Sequence, residues 1–104
     1  MTDTSEFDLI VIGAGNGGNG VARMAATEGW KVAIIDSLPY GGTCALRGCD
    51  PKKMLIGVTE GVEWARNMAG KGLEAATSVN WPVMMAFKRS FTDAMPPCIE
   101  AGLN

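Results

Sequence analysis

The sequence has no histidine and little net charge, and both features exclude functions. Without histidine, a Cys/His zinc site and histidine-based acid–base catalysis are excluded within these 104 residues. A formal net charge of −2 argues against a nucleic-acid interface, which would need a basic face. We therefore expect neither a metal site nor a nucleic-acid partner.

Long apolar runs are also lacking. The longest run, Leu9–Ile12, is far too short to cross a bilayer. The polar, acidic residues 1–8 before it do not read as a secretory signal, so we expect a cytoplasmic protein without a membrane partner. A reducing compartment disfavours structural disulfides, and three cysteines cannot all pair within one chain. A close pair of cysteines is therefore expected to be catalytic.

The first third of the chain predicts a βαβ unit. Residues 8–12 are an apolar run that ends at a glycine, which is typical of a strand buried on both faces. Apolar side chains recur at helical spacing over residues 17–28, and Gly29 occupies the place of a C-cap glycine. Residues 30–36 form a second buried run. A strand, a helix and a parallel strand within about 30 residues make one βαβ unit.

A loop and two long helices are predicted to follow. Residues 37–50 are the loop, Pro51 opens a helix over residues 51–69, and residues 71–80 form a polar connector. Asn80 caps the third helix, which Pro96 and Pro97 should break or kink. The apolar faces of these helices predict buried or packing side chains at Leu55, Val58, Val62, Trp64, Ala65, Ala69, Trp81, Met84, Met85, Phe87, Phe91, Ala94, Met95 and, as a structural thiol, Cys98.

These elements are too few to close a core. A doubly wound sheet needs more than two strands to cover the helix faces that the pattern predicts. The apolar stripes after Pro51 have too little sheet to pack on. We therefore expect an α/β fold that is incomplete, in a truncated protein or in one that relies on a partner.

A glycine-rich turn joins the first strand to the first helix. Gly13, Gly15 and Gly18 form a G-x-G-x-x-G pattern in which glycine permits the tight turn, the approach of a pyrophosphate, and close helix packing. Asp36 stands at the end of the second strand, where a carboxylate can bind an adenosine ribose. The pattern does not distinguish NAD from FAD. The alternative is a turn that serves packing alone, with Asp36 a solvated strand end.

Two cysteines separated by four residues lie in the loop after the second strand. The carboxyl edge of the sheet, where this loop lies, is also where a dinucleotide extends. Cys49 precedes Pro51 at a helix start, which favours a thiolate able to donate to an oxidised flavin, and leaves Cys44 to attack a disulfide substrate. The alternatives are two small buried residues or a structural bridge.

Residues 41–51 read G-G-T-C-A-L-R-G-C-D-P. This segment resembles the G-G-T-C-x-x-x-G-C-x-P signature of the pyridine nucleotide-disulfide oxidoreductases, the family of glutathione reductase, dihydrolipoamide dehydrogenase and mercuric reductase. The resemblance extends over essentially the whole chain. It implies an incomplete Rossmann-like FAD-binding fold, with residues 1–104 as one partial FAD/NAD(P)-binding domain. It also implies FAD as cofactor, NAD(P)H as co-substrate, a small-molecule disulfide or similar acceptor, and a homodimer for the full-length protein.

The resemblance also implies roles for individual residues. Cys49 would face the flavin and Cys44 would be the interchange thiol. One of Lys52 and Lys53 would approach the flavin, and the sequence does not decide which. The ADP half of FAD would be held by Gly13, Gly15, Asn16, Gly17, Gly18 and Asp36, and its far half would be lined by Gly42, Thr43 and Cys44.

The chain departs from the family pattern in two respects. Asp50 stands where the family usually has a small apolar residue; its carboxylate would oppose a Cys49 thiolate, and Arg47 could offset it. The family's NAD(P)H domain, interface domain and catalytic histidine are not found in this sequence, so full turnover by these residues alone is not expected. Two other interpretations stay open: a non-catalytic FAD- or nucleotide-binding module, and an inert truncation product.

Overall fold

The computed structural model describes residues 4–74 and 77–104. In these ranges the elements follow in the order β1 (Leu9–Ile12), α1 (Asn16–Thr27), β2 (Val32–Ile35), α2 (Gly42–Arg47), α3 (Cys49–Asn67), α4 (Trp81–Thr92) and α5 (Met95–Ala101). The fold is an incomplete Rossmann-like α/β arrangement, as the sequence predicts.

The two strands form a parallel pair linked by α1, which confirms the βαβ unit. Leu9 pairs with Val32 and Ile12 with Ile35, and the Gly13 N–H donates to the Ile35 carbonyl at 2.7 Å. The helix ends as predicted, because Gly29 adopts φ +86° immediately after the C-cap residue Glu28.

The expectation that both faces of the strands are buried is wrong for this chain. Alternate residues of β1 are half-buried and exposed, and Ile10 and Ile12 are 57% and 84% exposed. Ile35 at the end of β2 is 51% exposed. A sheet of two strands has little area, and α1 packs against both strands while no other helix contacts them as extensively. The continuous apolar run therefore predicts a strand without ensuring its burial.

The prediction of a loop over residues 37–50 is only partly correct. The Tyr40 hydroxyl donates to the Ile34 carbonyl at 3.1 Å and ties the first part of the loop to β2. Gly41 and Gly42 then adopt φ +133° and +68°, and the six-residue helix α2 follows. Gly48 separates α2 from α3, which begins two residues before Pro51. The short helix was missed because only five residues lie between Gly42 and Gly48, too few to show a helical period.

The later helices lie close to their predicted positions. α3 begins at Cys49 and ends at Asn67, ahead of Gly70, which adopts φ +74° in the following turn. The Asn80 carboxamide accepts from the Val83 N–H at 3.2 Å, which confirms the predicted cap of α4. The predicted interruption near Pro96 is also confirmed, and both prolines lie in the first turn of α5. Of the predicted connector 71–80, residues 75–76 lie outside the described ranges.

Burial of the helical side chains departs from expectation. Met84 is buried as predicted, but Trp64, Trp81 and Phe87 are 71%, 61% and 53% exposed. Cys98 is exposed on α5, so its assignment as a buried thiol is wrong. The remaining predicted positions are half-buried at Leu55, Val58, Val62, Ala65, Met85, Phe91 and Met95 and exposed at Ala69 and Ala94. α3 and α4 pack on each other, and within residues 4–74 and 77–104 neither helix makes extensive contact with the sheet.

The buried core is correspondingly small. Among the described residues the buried apolar side chains are Ala14, Ala22, Ala45 and Met84. The radius of gyration is 20.6 Å, whereas a compact chain of this length would have about 13 Å. As the element count predicts, the described part of the chain encloses only this small core.

In the described part of the chain, no helix combines the length and the apolar character needed to cross a membrane.

Candidate functional site

The glycine turn presents bare backbone at the start of α1. Gly15 is the N-cap residue and makes no side-chain cap hydrogen bond. A Cβ at Gly18 would overlap the Gly13 carbonyl oxygen, so the helix can approach the strand this closely only with glycine at that position. A Cβ at Gly13 or Gly17 would meet nothing within 4 Å. The turn is therefore an open cradle beside unsatisfied helix N–H groups, as a phosphate requires.

The Asp36 carboxylate is held against this turn. Its Oδ2 accepts from the Ala14 N–H at 2.7 Å and its Oδ1 accepts from the Leu38 N–H at 2.9 Å. These backbone bonds, first that of Ala14, lower the pKa of Asp36, so the carboxylate is ionised at neutral pH. An ionised carboxylate has about four acceptor sites, so it retains capacity for ribose hydroxyls.

The start of the cysteine loop lies directly on the glycine turn. The Gly41 N–H donates to the Ala14 carbonyl at 3.0 Å. A Cβ at Gly42 would lie 2.5 Å from the Gly15 Cα, so the two backbones are in contact. The loop and the turn therefore share one edge of the sheet, as the sequence predicts.

The two cysteines face each other across the junction of α2 and α3. Cys44 is the third residue of α2, and Cys49 is the first of α3. A Cβ at Gly48 would lie 2.9 Å from the Thr43 carbonyl oxygen, so glycine permits this close fold. Both cysteines are free thiols; Cys44 is half-buried and Cys49 is exposed.

The hydrogen bond between the two thiols raises the pKa of Cys44, and burial and the neighbouring charge of Asp50 raise it further. The charge of Asp50 thus acts on Cys44, and its predicted opposition to a thiolate at Cys49 stays a prediction. The predicted offset of Asp50 by Arg47 also stays a prediction; the charge of Arg47 adds, after the backbone hydrogen bonds, to the lowered pKa of Asp36.

The two candidate lysines have different surroundings. Both are exposed, but only Lys52 lines a cavity of about 550 Å³ between α2, α3 and α4. Its walls include the segment Arg47–Gly48 between the cysteines and three other groups that sequence reasoning did not assign to the site, Thr59, Trp81 and Lys88. Asn19, which bonds to the Ala14 carbonyl of the turn, and Tyr40, which bonds to the Ile34 carbonyl of β2, were also missed, because a single polar residue carries no pattern.

A dinucleotide fits the donor set at this edge. The cradle lacks side chains where phosphates would lie, and a fixed carboxylate stands beside it. Thr43 is exposed next to Gly42 on the same edge. The residues predicted to hold the ADP half of FAD thus meet in space, and those predicted for its far half adjoin them.

Comparison with known proteins agrees with this arrangement. A sequence model of the family described as pyridine nucleotide-disulphide oxidoreductase matches residues 7–96. The chain is 48% identical over 84 residues to a glutathione reductase of Burkholderia cepacia, a match that covers 80% of this chain and 19% of that protein. It is 40% identical over 99 residues to a dihydrolipoyl dehydrogenase of Chlamydia trachomatis serovar D, covering 94% and 20%. A dihydrolipoyl dehydrogenase of Bacillus subtilis is 34% identical over 101 residues, covering 96% and 20%.

The chain spans about a fifth of the length of these curated relatives. The stretch matched by the family model includes both the glycine turn and the cysteine loop. The resemblance inferred from residues 41–51 is therefore confirmed, and the chain belongs to the pyridine nucleotide-disulphide oxidoreductase family.

Proposed function

We propose that this chain is the FAD-binding, dithiol-bearing part of an enzyme that passes electrons from NAD(P)H through FAD to the Cys44–Cys49 disulfide, and on to a disulfide-type acceptor. The observation that carries the proposal is the contact of Gly42 with Gly15. This contact joins the nucleotide cradle to the cysteine loop and so supports a redox pair near the ring end of a cofactor.

The chain's own residues would hold the cofactor in two groups. The backbone N–H groups at residues 15–18 bind the pyrophosphate, and the Asp36 carboxylate accepts from the ribose hydroxyls. Gly42, Thr43 and Cys44 line the far half, and Lys52 or Lys53 approaches the ring. Bound FAD would supply two electrons, derived from NAD(P)H, to the disulfide.

The dithiol would then act by thiol–disulfide exchange. Two electrons and two protons convert the Cys44–Cys49 disulfide into two thiols. Cys44, as a thiolate, attacks one sulfur of the acceptor disulfide, which forms a mixed disulfide and releases the first product thiol after protonation. Cys49 then attacks the Cys44 sulfur, which restores the internal disulfide and releases the second thiol. The arrangement supports this sequence because Cys44 near the start of α2 and Cys49 at the start of α3 are separated only by the close fold at Gly48, and Cys49 is near enough to raise the pKa of Cys44.

The names of the relatives support the same proposal at the level of the whole protein. A glutathione reductase and dihydrolipoyl dehydrogenases each carry a stretch similar to this chain. We propose a full-length homodimer with NAD(P)H as co-substrate and a cytoplasmic location. The pair Lys52 and Lys53 favours the glutathione reductase branch only weakly.

The test uses the purified 104-residue chain. Titration with FAD should quench flavin fluorescence, and mild oxidation should join Cys44 to Cys49 as shown by peptide mass spectrometry. Addition of NAD(P)H to the flavin complex should leave the yellow absorbance unchanged if this chain lacks the NAD(P)H site. Flavin binding without any Cys44–Cys49 disulfide would instead support a non-catalytic module. Failure both to bind FAD and to form the disulfide would overturn the proposal in favour of an inert product.

A further inference from the structure

Three parts of the candidate site meet at one peptide residue, Ala14, whose side chain is fully buried. Its N–H donates to the Asp36 carboxylate at 2.7 Å. Its carbonyl accepts from the Gly41 N–H at 3.0 Å and from the Asn19 carboxamide Nδ2 at 2.8 Å. A carbonyl oxygen has two acceptor positions, so both are used. The Asp36 carboxylate, the cysteine loop and α1 are thereby fixed to the glycine turn through a single residue.

Asn19 is an unusual residue at this place, because it lies in a helix and its side chain bonds to backbone outside that helix. It lies in the first turn of α1, and its own N–H donates to the Gly15 carbonyl at 2.9 Å. Asparagine is a weak helix former because its side chain competes for backbone groups. Here the carboxamide turns back across the glycine turn and bonds to the Ala14 carbonyl, one residue before the helix N-cap.

The oxygen of the Asn19 carboxamide lowers the stability of this arrangement. Its Oδ1 is buried and has no partner among the described residues. An unpaired buried acceptor loses its hydration without compensation, so an apolar side chain of similar size would fit this position at lower cost. The donor nitrogen therefore contributes something that an apolar side chain cannot, and its single partner is the carbonyl that also receives Gly41.

We propose that Asn19 is a positioning residue that sets the cysteine loop relative to the nucleotide cradle. Its Nδ2 holds the Ala14 carbonyl in the orientation that the Gly41 N–H requires. Gly41 in turn places Gly42 on Gly15 and begins the helix that carries Cys44. This inference rests on the proposed function, and it adds a residue that acts through Ala14 without touching the cofactor or the thiols.

The test compares Asn19→Asp with the wild type and with Asn67→Asp, which makes the same change at the exposed end of α3. An ionised carboxylate cannot donate to the Ala14 carbonyl, but a protonated one can. Asn19→Asp should therefore bind FAD about 10-fold more weakly at about pH 8 and recover part of that loss as the pH is lowered to about 4, where an ordinary aspartate carboxyl begins to be protonated. Asp36, bonded to the same peptide residue, has a lowered pKa and stays ionised through this range, so it does not produce the recovery. The wild type and Asn67→Asp serve as references for any intrinsic pH dependence of FAD binding.

A second readout is independent of the flavin. In a glutathione redox buffer at about pH 8, the ratio of disulfide to dithiol at Cys44 and Cys49 should shift about 3-fold or more in Asn19→Asp and remain unchanged in Asn67→Asp. Asn19→Leu replaces the carboxamide with an apolar side chain of similar size, and it is used as a second variant if Asn19→Asp does not fold. It should show the weaker FAD binding and the shifted ratio at every pH.

The outcomes separate this inference from the proposed function. If the wild type binds FAD and forms the disulfide while both Asn19 variants match it in affinity and ratio, the positioning role is wrong and the proposed function stands. A loss in Asn19→Asp that does not recover at low pH, together with unchanged binding in Asn19→Leu, would also overturn it. If the wild type neither binds FAD nor forms the disulfide, the proposed function itself has failed.

Discussion

Residues 4–48 and residues 49–104 are built by different means. Among the described residues, the first stretch, which we term the turn region, contains three of the four core side chains named above, all of them alanine. The second, the helical region, contributes Met84 to that core, although it carries most of the large apolar side chains of the helices. Backbone contacts between small residues hold the turn region together. In the helical region, many large apolar side chains stay exposed because the described elements do not cover them.

Glycine shows the same difference at single positions. At Gly18, Gly42 and Gly48 an added Cβ would collide with, or press closely on, backbone of another segment. At Gly57 and Gly61, within α3, it would meet nothing within 4 Å. Glycine is therefore required by packing at these three positions of the turn region, whereas within α3 it only lowers helix propensity.

The largest effect is expected from Gly18→Ala. The new methyl group would overlap the Gly13 carbonyl oxygen, so the turn and the first turn of α1 must separate. We expect a loss of about 3 kcal/mol or more in stability and a loss of FAD affinity of about 100-fold or more. Urea unfolding followed by circular dichroism and flavin fluorescence titration measure the two effects.

Gly61→Ala is the matched control in the helical region. Since its methyl group enters open space within a helix, it should raise stability by about 0.5–1 kcal/mol and leave FAD binding unchanged. If the two alanine variants behaved alike, the contrast between the regions would be wrong.

Gly42→Ala should have the next largest effect, since it tests the contact on which the proposed function depends. The substitution forces alanine to φ +68° and brings its Cβ to 2.5 Å from the Gly15 Cα. We expect FAD affinity to fall about 30-fold, measured by flavin fluorescence. Gly70→Ala forces alanine to a similar φ of +74° without any collision, and should therefore leave the FAD affinity unchanged. Equal losses in both variants would show that strain, not the contact, is responsible.

The turn region was largely predictable from sequence because its structure follows from local rules. The order of strand, glycine turn, helix and strand fixes where Gly13, Gly15 and Asp36 meet, and the cysteine loop follows the second strand at the same edge. The short helix α2 was missed because six residues flanked by glycine carry too little periodicity to be recognised. The Ala14 bonds were missed because backbone partners leave no residue-type signal.

Burial in the helical region could not be predicted in the same way. Helical periodicity identifies which face is apolar, and the bounds of α3 and α4 were close to those found. Whether that face is covered depends on other elements, which periodicity does not reveal. Cys98 is predicted to be buried from its place on an apolar stripe and Trp64 is predicted to be a packing anchor, yet both are exposed.

Cys49→Ala is expected to have a smaller, chemical effect at the boundary between the two regions. The Cys49 thiol is the largest cause of the raised pKa of Cys44, through its hydrogen bond and its charge. A raised pKa leaves less thiolate, so removing Cys49 should lower the pKa and raise the alkylation rate of Cys44. We expect an increase of about 3- to 10-fold at about pH 8, measured with iodoacetamide in a Cys98→Ala background. A slower reaction would mean that Cys49 promotes the Cys44 thiolate.

The smallest effect is expected from Asp50→Asn, because Asp50 acts on Cys44 by charge alone and ranks below the hydrogen bond and burial as a cause. Removing the carboxylate should lower the pKa of Cys44 and raise its alkylation rate about 2-fold at about pH 8. Added salt screens exposed charges, so the difference between variant and wild type should shrink at about 1 M ionic strength, whereas the effect of Cys49→Ala should largely persist. Asp93→Asn, at the end of α4, removes an equal charge elsewhere in the helical region and should leave the rate unchanged. If Asp50→Asn and Cys49→Ala change the alkylation rate equally and with the same salt dependence, charge and not the hydrogen bond sets the pKa of Cys44. The helical region would then act on the turn region by electrostatics instead of by contact.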